Sequence, residues 1–424
     1  METRLESGFA SPRKHALKDV LIPPVIVGAL GYFVDIYDLT LFSIVRVPSL
    51  KALGLSGDEL LTKGVTLINL QMFGMFVGGL LWGILGDKRG RISVLFGSIA
   101  LYSVANLLNA LATDVTQYGI LRFLAGVGLA GELGAAITLV AESLPREIRG
   151  LGTTVVASVG ICGAVFGGAI SESFSWRACY VIGGALGILL LILRIRLRES
   201  GLFASVLSDA EIARGDLGML FGNAKRLWKY VLCILVGVPL WYAVGVLMTF
   251  APELGQALGV TGPVTGAKSI LFGYAGIVLG DVFAGIFSQW LGSRKRAIAV
   301  FLVVTSFFTA VYGRATGVSP EVFYGICFLL GLGTGYWALF CTVAAEQFGT
   351  NLRATVTIST PNFVRGAVVP LTLGFRALTP SLGLVPAAMT IGATCLVVAF
   401  FALSRLEETF SKDLDYLEME SPRS

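Results

Sequence analysis

The chain has 424 residues, of which 55% are hydrophobic and only 14% charged, with a formal net charge of +5. A soluble domain carries roughly 25% charged residues, so this composition argues against a water-soluble enzyme and for a membrane protein. The basic excess lies in short loops between apolar stretches, which topology explains and which implies no nucleic-acid partner.

Stretches long enough to cross a bilayer recur at 21–46, 64–86, 92–112, 117–143, 151–172, 178–197, 229–252, 268–291, 296–314, 320–345, 355–379 and 382–404. They are too long and too evenly apolar for barrel strands, so they predict an all-α polytopic membrane protein with about twelve transmembrane helices. The first span carries Asp35 and Asp38, is too long for a signal-peptide core and lacks a small-residue cleavage site, so it reads as a retained helix. Between the second and third spans lies Gly83-Ile84-Leu85-Gly86-Asp87-Lys88-Arg89-Gly90-Arg91, a tight glycine turn with a basic cluster. A weaker echo, Gly285 to Arg296, occupies the matching place between the eighth and ninth spans. The ends of the fourth and tenth spans also correspond. Glu142 is followed seven residues on by Arg149, and Glu346 likewise by Arg353. These repeats predict an internally duplicated transporter.

Residues 198–228 interrupt the apolar pattern with mixed charges, which divides the chain into an N-terminal six-helix bundle (1–197), a cytoplasmic linker (198–228) and a C-terminal six-helix bundle with a short tail (229–424). Arg4, Arg13, Lys14 and Lys18 before the first span, and basic residues in every second loop thereafter, among them Arg194, Arg196 and Arg198 after the sixth span, place both termini in the cytoplasm, and a prokaryotic plasma membrane is the expected location. The six cysteines all fall in apolar spans without metal-ligand spacing, so no disulfide, metal or cofactor is expected.

On these motifs the chain resembles the major facilitator superfamily over essentially its whole length. Gly83, Asp87, Lys88, Gly90, Arg91 and Leu95 match its loop 2–3 signature, with Ile92 where a further basic residue is usual. Arg122 to Glu132, with Gly126, Gly128 and Gly131, resembles its fourth-helix signature. Within the superfamily, Gly131-Glu132 and the Glu142/Arg149 spacing look most like the metabolite:proton symporters and the sugar and organic-ion porters. The resemblance implies two pseudo-symmetric six-helix bundles and a central cavity lined by the first, fourth, seventh and tenth helices. It also implies a cytoplasmic gate built from Gly83, Asp87, Lys88, Gly90 and Arg91, with Asp87 facing the start of the eleventh helix near Ser359-Thr360-Pro361. Glu142 with Arg149 and Glu346 with Arg353 add bridges to that gate, unless they are solvated helix ends.

Charges inside apolar spans are expensive unless they face a cavity or a partner. Asp35, Asp38, Glu132 and Asp281 are the acids, and Arg122, Arg365 and Arg376 the bases. Asp35 and Asp38 share one helical face, and Asp35 and Glu132 fall at similar depth. Asp35, Asp38, Glu132 and Arg122 are therefore candidates for proton coupling or substrate contact, against a static ion pair with Arg122. The only histidine, His15, precedes the first span, so proton coupling must use carboxylates. Arg365 is a candidate for binding an anionic substrate group, against an intramembrane ion pair with Asp281. Trp241, Tyr242, Tyr336 and Trp337 offer an aromatic wall for the substrate, against plain packing, and Asn362 a polar contact.

In the fifth span, Gly163 to Gly168 resembles the antiporter signature of drug exporters, but Ala164 occupies its proline position. That departure favours symport or uniport. The expected function is secondary active import of a small polar metabolite, an organic anion or zwitterion, by proton symport with alternating access. The protein would work as a monomer in the lipid bilayer, with a small-molecule substrate and protons as its partners. The alternatives are proton-driven export of a drug or siderophore-like compound and, from another class, a non-transporting nutrient receptor. No catalytic constellation points to an enzyme.

Overall fold

The computed structural model describes residues 21–89, 91–132, 144, 149–195 and 217–410. Every element among them is helical. The N-terminal half contains α1 (Pro23–Ala52), α2 (Asp58–Arg89), α3 (Arg91–Asn109), α4 (Val115–Leu129), α5 (Arg149–Ser171) and α6 (Trp176–Arg194). A short α7 (Leu217–Phe221) leads into the C-terminal half. There α8 (Ala224–Tyr242) passes through a wide turn at Ala243–Met248 into α9 (Ala251–Ala257). Then follow α10 (Gly266–Leu291), α11 (Arg294–Gly313), α12 (Pro320–Thr334), α13 (Trp337–Glu346), α14 (Thr350–Gly366), α15 (Val368–Leu382) and α16 (Leu384–Arg405). Eight helices among the described residues are long and apolar enough to cross a membrane.

Side-chain caps fix where many of these helices begin. Asp114, Ser175, Asn223, Thr265, Ser293 and Ser319 each accept a backbone N–H from the first turn of α4, α6, α8, α10, α11 and α12. Each satisfies a donor that has no partner within its own helix.

Three spans that read as continuous helices are interrupted. In the seventh, Pro239 removes a helical donor just before the wide turn at Ala243–Met248. The tenth breaks at Gly335 and Tyr336, and the eleventh is divided at Ala367. Hydropathy sums over a window and does not register such breaks.

The two halves meet along a long seam. Within the N-terminal half, a Cβ at Gly160 of α5 would collide with the Tyr32 ring and one at Gly163 with the Phe33 carbonyl, so these glycines let α5 lie directly on α1. The fifth-span glycine motif is thus a packing surface. Across the seam, Thr372 of α15 donates to Asn69 of α2 at 2.6 Å, and Asn362 of α14 donates to the Ala130 carbonyl at 3.1 Å.

Candidate functional site

Midway along the seam, between α1, α5, α8, α10, α13 and α14, lies a cavity of about 20 Å³. Tyr32, Ile36, Ile161, Leu240, Trp241, Tyr274, Ile277, Trp337 and Arg365 line it. Such a space holds about one water, so the halves are closed around their centre.

Arg365 sits at the end of α14, fully buried, with its guanidinium carbon 5.8 Å from the centre of the Trp241 ring. Asp35 of α1 is its ionic partner, Nη2 to Oδ2 3.7 Å, a contact between the two halves. Nε, Nη1 and Nη2 of Arg365, and both Asp35 oxygens, make no hydrogen bond among the described residues. A buried guanidinium normally saturates its five donors, so this one is poised for a further acceptor. The expected Asp281–Arg365 ion pair does not form. Asp281 instead accepts the Ala338 N–H at 2.9 Å, because the break before α13 leaves amides that need a partner.

Behind Asp35 stands a second layer of charge. Glu132 is gripped at two points by Arg194 of α6, Nη1 to Oε2 2.9 Å and Nη2 to Oε1 closer still. Both residues are buried, and both lie within electrostatic reach of Asp35. Gly31 makes room for the pair, since a Cβ there would overlap Arg194 and Glu132. The structure thus places Glu132 near Asp35 as expected, but bound to an arginine that the sequence presented as one of a loop's basic cluster. Further along, Arg122 donates to Asn106 Oδ1 at 2.5 Å and lies 4.7 Å above the Tyr180 ring. Asp38 is within its electrostatic reach. Within the N-terminal half, the carboxylates of Asp35, Asp38 and Glu132 thus meet two guanidinium groups, Arg122 and Arg194. Arg365, from the other half, supplies the third.

The aromatic expectation divides. Trp241 and Trp337 line the cavity and pack edge to face, 6.4 Å between centroids. Tyr242 and Tyr336 do not reach it. Their hydroxyls donate to the carbonyls of Ala388 and Val236, at 2.8 and 2.9 Å, and tie neighbouring helices together. Tyr242, at the end of α8, and Tyr336, in the break before α13, both turn away from the cavity to make these contacts. Tyr32 and Tyr274 take the wall positions instead. Asn362 lies beside Ala130 rather than among the cavity residues.

At one end of the seam, Arg46 of α1 is fully buried and holds three partners. It donates to the Leu60 carbonyl at 3.2 Å, to the Thr249 carbonyl at 3.1 Å and to Glu253 of α9 at 2.6 Å. Its guanidinium rests 4.6 Å above Phe250, and Ser43 joins Thr249 at 2.9 Å. These contacts close that end, and the sequence reading missed Arg46 entirely.

At the opposite end, Glu346 pairs with Arg294 of the echo motif at 2.6 Å rather than with Arg353, which donates to the Phe348 carbonyl at 3.4 Å. Arg294 opens the neighbouring helix, so it reaches Glu346 without bending the chain. The eleventh span starts with α14 at Thr350, so Ser359-Thr360-Pro361 is mid-helix, where Ser359 meets the Tyr230 hydroxyl at 2.7 Å. Of the other gate candidates, Gly90 and Glu142 lie outside the described residues. Gly83, Asp87, Lys88, Arg91 and Arg149 are described only as helical backbone.

The family model of the Major Facilitator Superfamily matches residues 28–360. The chain is 28% identical to the gentisate transporter of Corynebacterium glutamicum over 420 residues, covering 91% of this chain and 88% of that protein. It is 36% identical to the 4-hydroxybenzoate transporter PcaK of Pseudomonas putida over 328 residues, 68% of this chain and 71% of that protein. Among solved structures, the partially occluded inward-open xylose transporter XylE from E. coli superposes with a TM-score of 0.73. That match is 17% identical in sequence and covers 94% of this chain and 100% of XylE.

Proposed function

The chain belongs to the major facilitator superfamily and is an integral membrane transport protein, not an enzyme; we propose that it imports a small aromatic carboxylate together with one proton. The observation that carries this reading is Arg365, a buried guanidinium with unused donors on the wall of an aromatic cavity. Guanidinium binds a carboxylate through two parallel hydrogen bonds, and Trp241, Trp337, Tyr32 and Tyr274 supply the flat apolar surface that a ring requires. The relatives named for gentisate and 4-hydroxybenzoate transport support the same class of substrate.

Coupling follows from charge. With Asp35 ionised, Asp35, Asp38 and Glu132 balance Arg122, Arg194 and Arg365, and a second anion beside Arg365 would be uncompensated in a low-dielectric site. A proton on Asp35 removes that charge and frees Arg365 for the substrate carboxylate. Each monoanion therefore travels with one proton and the loaded site keeps the charge of the empty one. The closed cavity is too small for a ring, so loading requires the halves to part around the centre, as alternating access demands. By the distribution of basic residues, the Arg46 end faces outward and the Arg294 end the cytoplasm. The protein acts as a monomer, because the whole site lies between its own halves.

The test is uptake of 4-hydroxybenzoate and benzoate into proteoliposomes with acid outside. Accumulation that follows the pH gradient, with little transported current, is expected. Arg365→Lys should fold yet bind either acid at least roughly tenfold more weakly, because an ammonium is a point donor. Uptake indifferent to the pH gradient, or wild-type affinity in a folded Arg365→Lys protein, overturns the reading.

A further inference from the structure

The strongest unused feature is the broken tenth span and the acid that meets it. Helix α13 begins at Trp337, and its own N-cap residue, Tyr336, provides no side-chain cap. The Asp281 carboxylate, from the middle of α10, accepts the Ala338 N–H at 2.9 Å and also faces the Trp337 amide. A carboxylate there satisfies open donors and complements the positive end of the helix. The neighbouring backbones are set for this contact. A Cβ at Gly335 would collide with Gly280 and the Ile277 carbonyl, and a Cβ at Gly280 with the Leu332 carbonyl. Glycine on both sides thus brings the break flat against α10, one residue before Asp281. The other Asp281 oxygen has no hydrogen-bond partner among the described residues, and no arginine or lysine pairs with this acid there.

We propose that Asp281 is a positioning residue for substrate selectivity. It pins the N-terminus of α13 to α10 and so holds Trp337, the first residue of that helix, against the cavity wall beside Trp241. Its work is done by acceptor oxygens rather than by charge transfer, so an amide of the same shape can replace it. The role of Trp337 in gripping a ring rests on the aromatic-carboxylate reading above; the cap itself does not.

The experiment compares full-length wild type, Asp281→Asn and Asp281→Ala. Hydrogen–deuterium exchange of the peptide spanning Trp337 to Thr342 reads the cap, and gradient-driven uptake of 4-hydroxybenzoate against hexanoate reads selectivity. In Asp281→Ala the first amides of α13 should exchange faster, and KM for 4-hydroxybenzoate should rise roughly five- to tenfold, the loss expected for one cap, with maximal rate and hexanoate KM little changed. Asp281→Asn should match wild type in exchange and stay within about twofold in KM, since asparagine is an equal N-cap acceptor. Wild-type exchange and KM in Asp281→Ala overturn the proposal. So does loss of uptake in an Asp281→Asn protein with wild-type exchange, which would assign the acid to proton transfer. If wild type carries no aromatic acid while the exchange results hold, the substrate reading fails and the cap stands.

Discussion

Arg46 and Glu253 join the two halves by an ion pair of 2.6 Å, beneath a vestibule of about 360 Å³ that includes Val47, Lys51, Pro252 and Gln256. Glu253 is 19% exposed and Arg46 only 1%, so the acid is the side of the latch that solvent reaches. Opening of the two halves at this end must break this contact together with the bonds from Arg46 to Thr249 and from Thr249 to Ser43. A hydrogen bond to a charged group is worth about 1.5–3 kcal/mol. Glu253→Gln should therefore raise the ratio of protein open at this end to closed protein by roughly tenfold or more. Distances between spin labels on α2 and α9 report it, and an unchanged distribution would remove the latch role.

Asp35→Asn should separate binding from coupling. The neutral amide resembles the protonated acid, so Arg365 is permanently released and binding of 4-hydroxybenzoate should persist with a flatter pH dependence. Accumulation against a gradient should collapse to the equilibrium level, while exchange of labelled for unlabelled substrate continues. Retained gradient-driven accumulation in this variant would move the proton to Asp38, the next acid on the same helical face.

A charge or a tryptophan inside an apolar span announces itself in the sequence, and that is how Asp35, Arg365, Trp241 and Trp337 were legible. The helical bundle was legible for the same reason, since each span must satisfy its backbone within lipid. What composition does not carry is the direction of a side chain. Tyr242 and Tyr336 were grouped with their neighbours by adjacency, although their hydroxyls tie α8 to α16 and to the break before α13. Arg194 sits in a run with Arg196 and Arg198 and so read as a topological marker, yet its face of α6 points at Glu132. Gly31, a gap opposite that pair, was the available clue. Arg46 closed the first span and escaped notice because a basic residue at a span end is ordinary.

Stability at the Arg294 end should depend on pH through Glu408, which follows α16. Its side chain is exposed but partly desolvated by its neighbours, which alone would push its pKa up. Hydrogen bonds from Ser293 and from the backbone N–H groups of Phe410, Arg294 and Lys295 outweigh this and hold the carboxyl below its ordinary value. A folded pKa below the unfolded one means that the stabilisation is complete above the unfolded value and is lost as pH falls through the folded one. Glu408→Gln should destabilise the protein near neutral pH by on the order of 1 kcal/mol or less, because solvent screens the site, and so lower the melting temperature modestly. The two proteins should converge in acid. A constant difference down to pH 3 would show that the charge contributes nothing.

The Glu132–Arg194 pair should behave as a structural element whose members cannot be removed singly. Both partners are buried and bonded at two points, so Glu132→Gln leaves a guanidinium with no counter-charge in direct contact, a loss of about 3–5 kcal/mol. Arg194→Met makes the reverse orphan and should cost a similar amount. The double variant Glu132→Gln with Arg194→Met removes both charges together and should recover much of the loss, giving a coupling energy of the sign found for contacting ions. Gly31→Ala supplies an independent check, because its Cβ would push into the same pair and should destabilise the protein without removing either charge. Thermal unfolding in detergent at fixed pH measures all four. A double variant that folds and still accumulates substrate with the pH gradient would leave Asp35 as the coupling acid. One that folds and binds but no longer responds to the gradient would give Glu132 a share of the proton. If Glu132→Gln alone were as stable as wild type, the pair would not be the buttress behind Asp35 that its geometry describes.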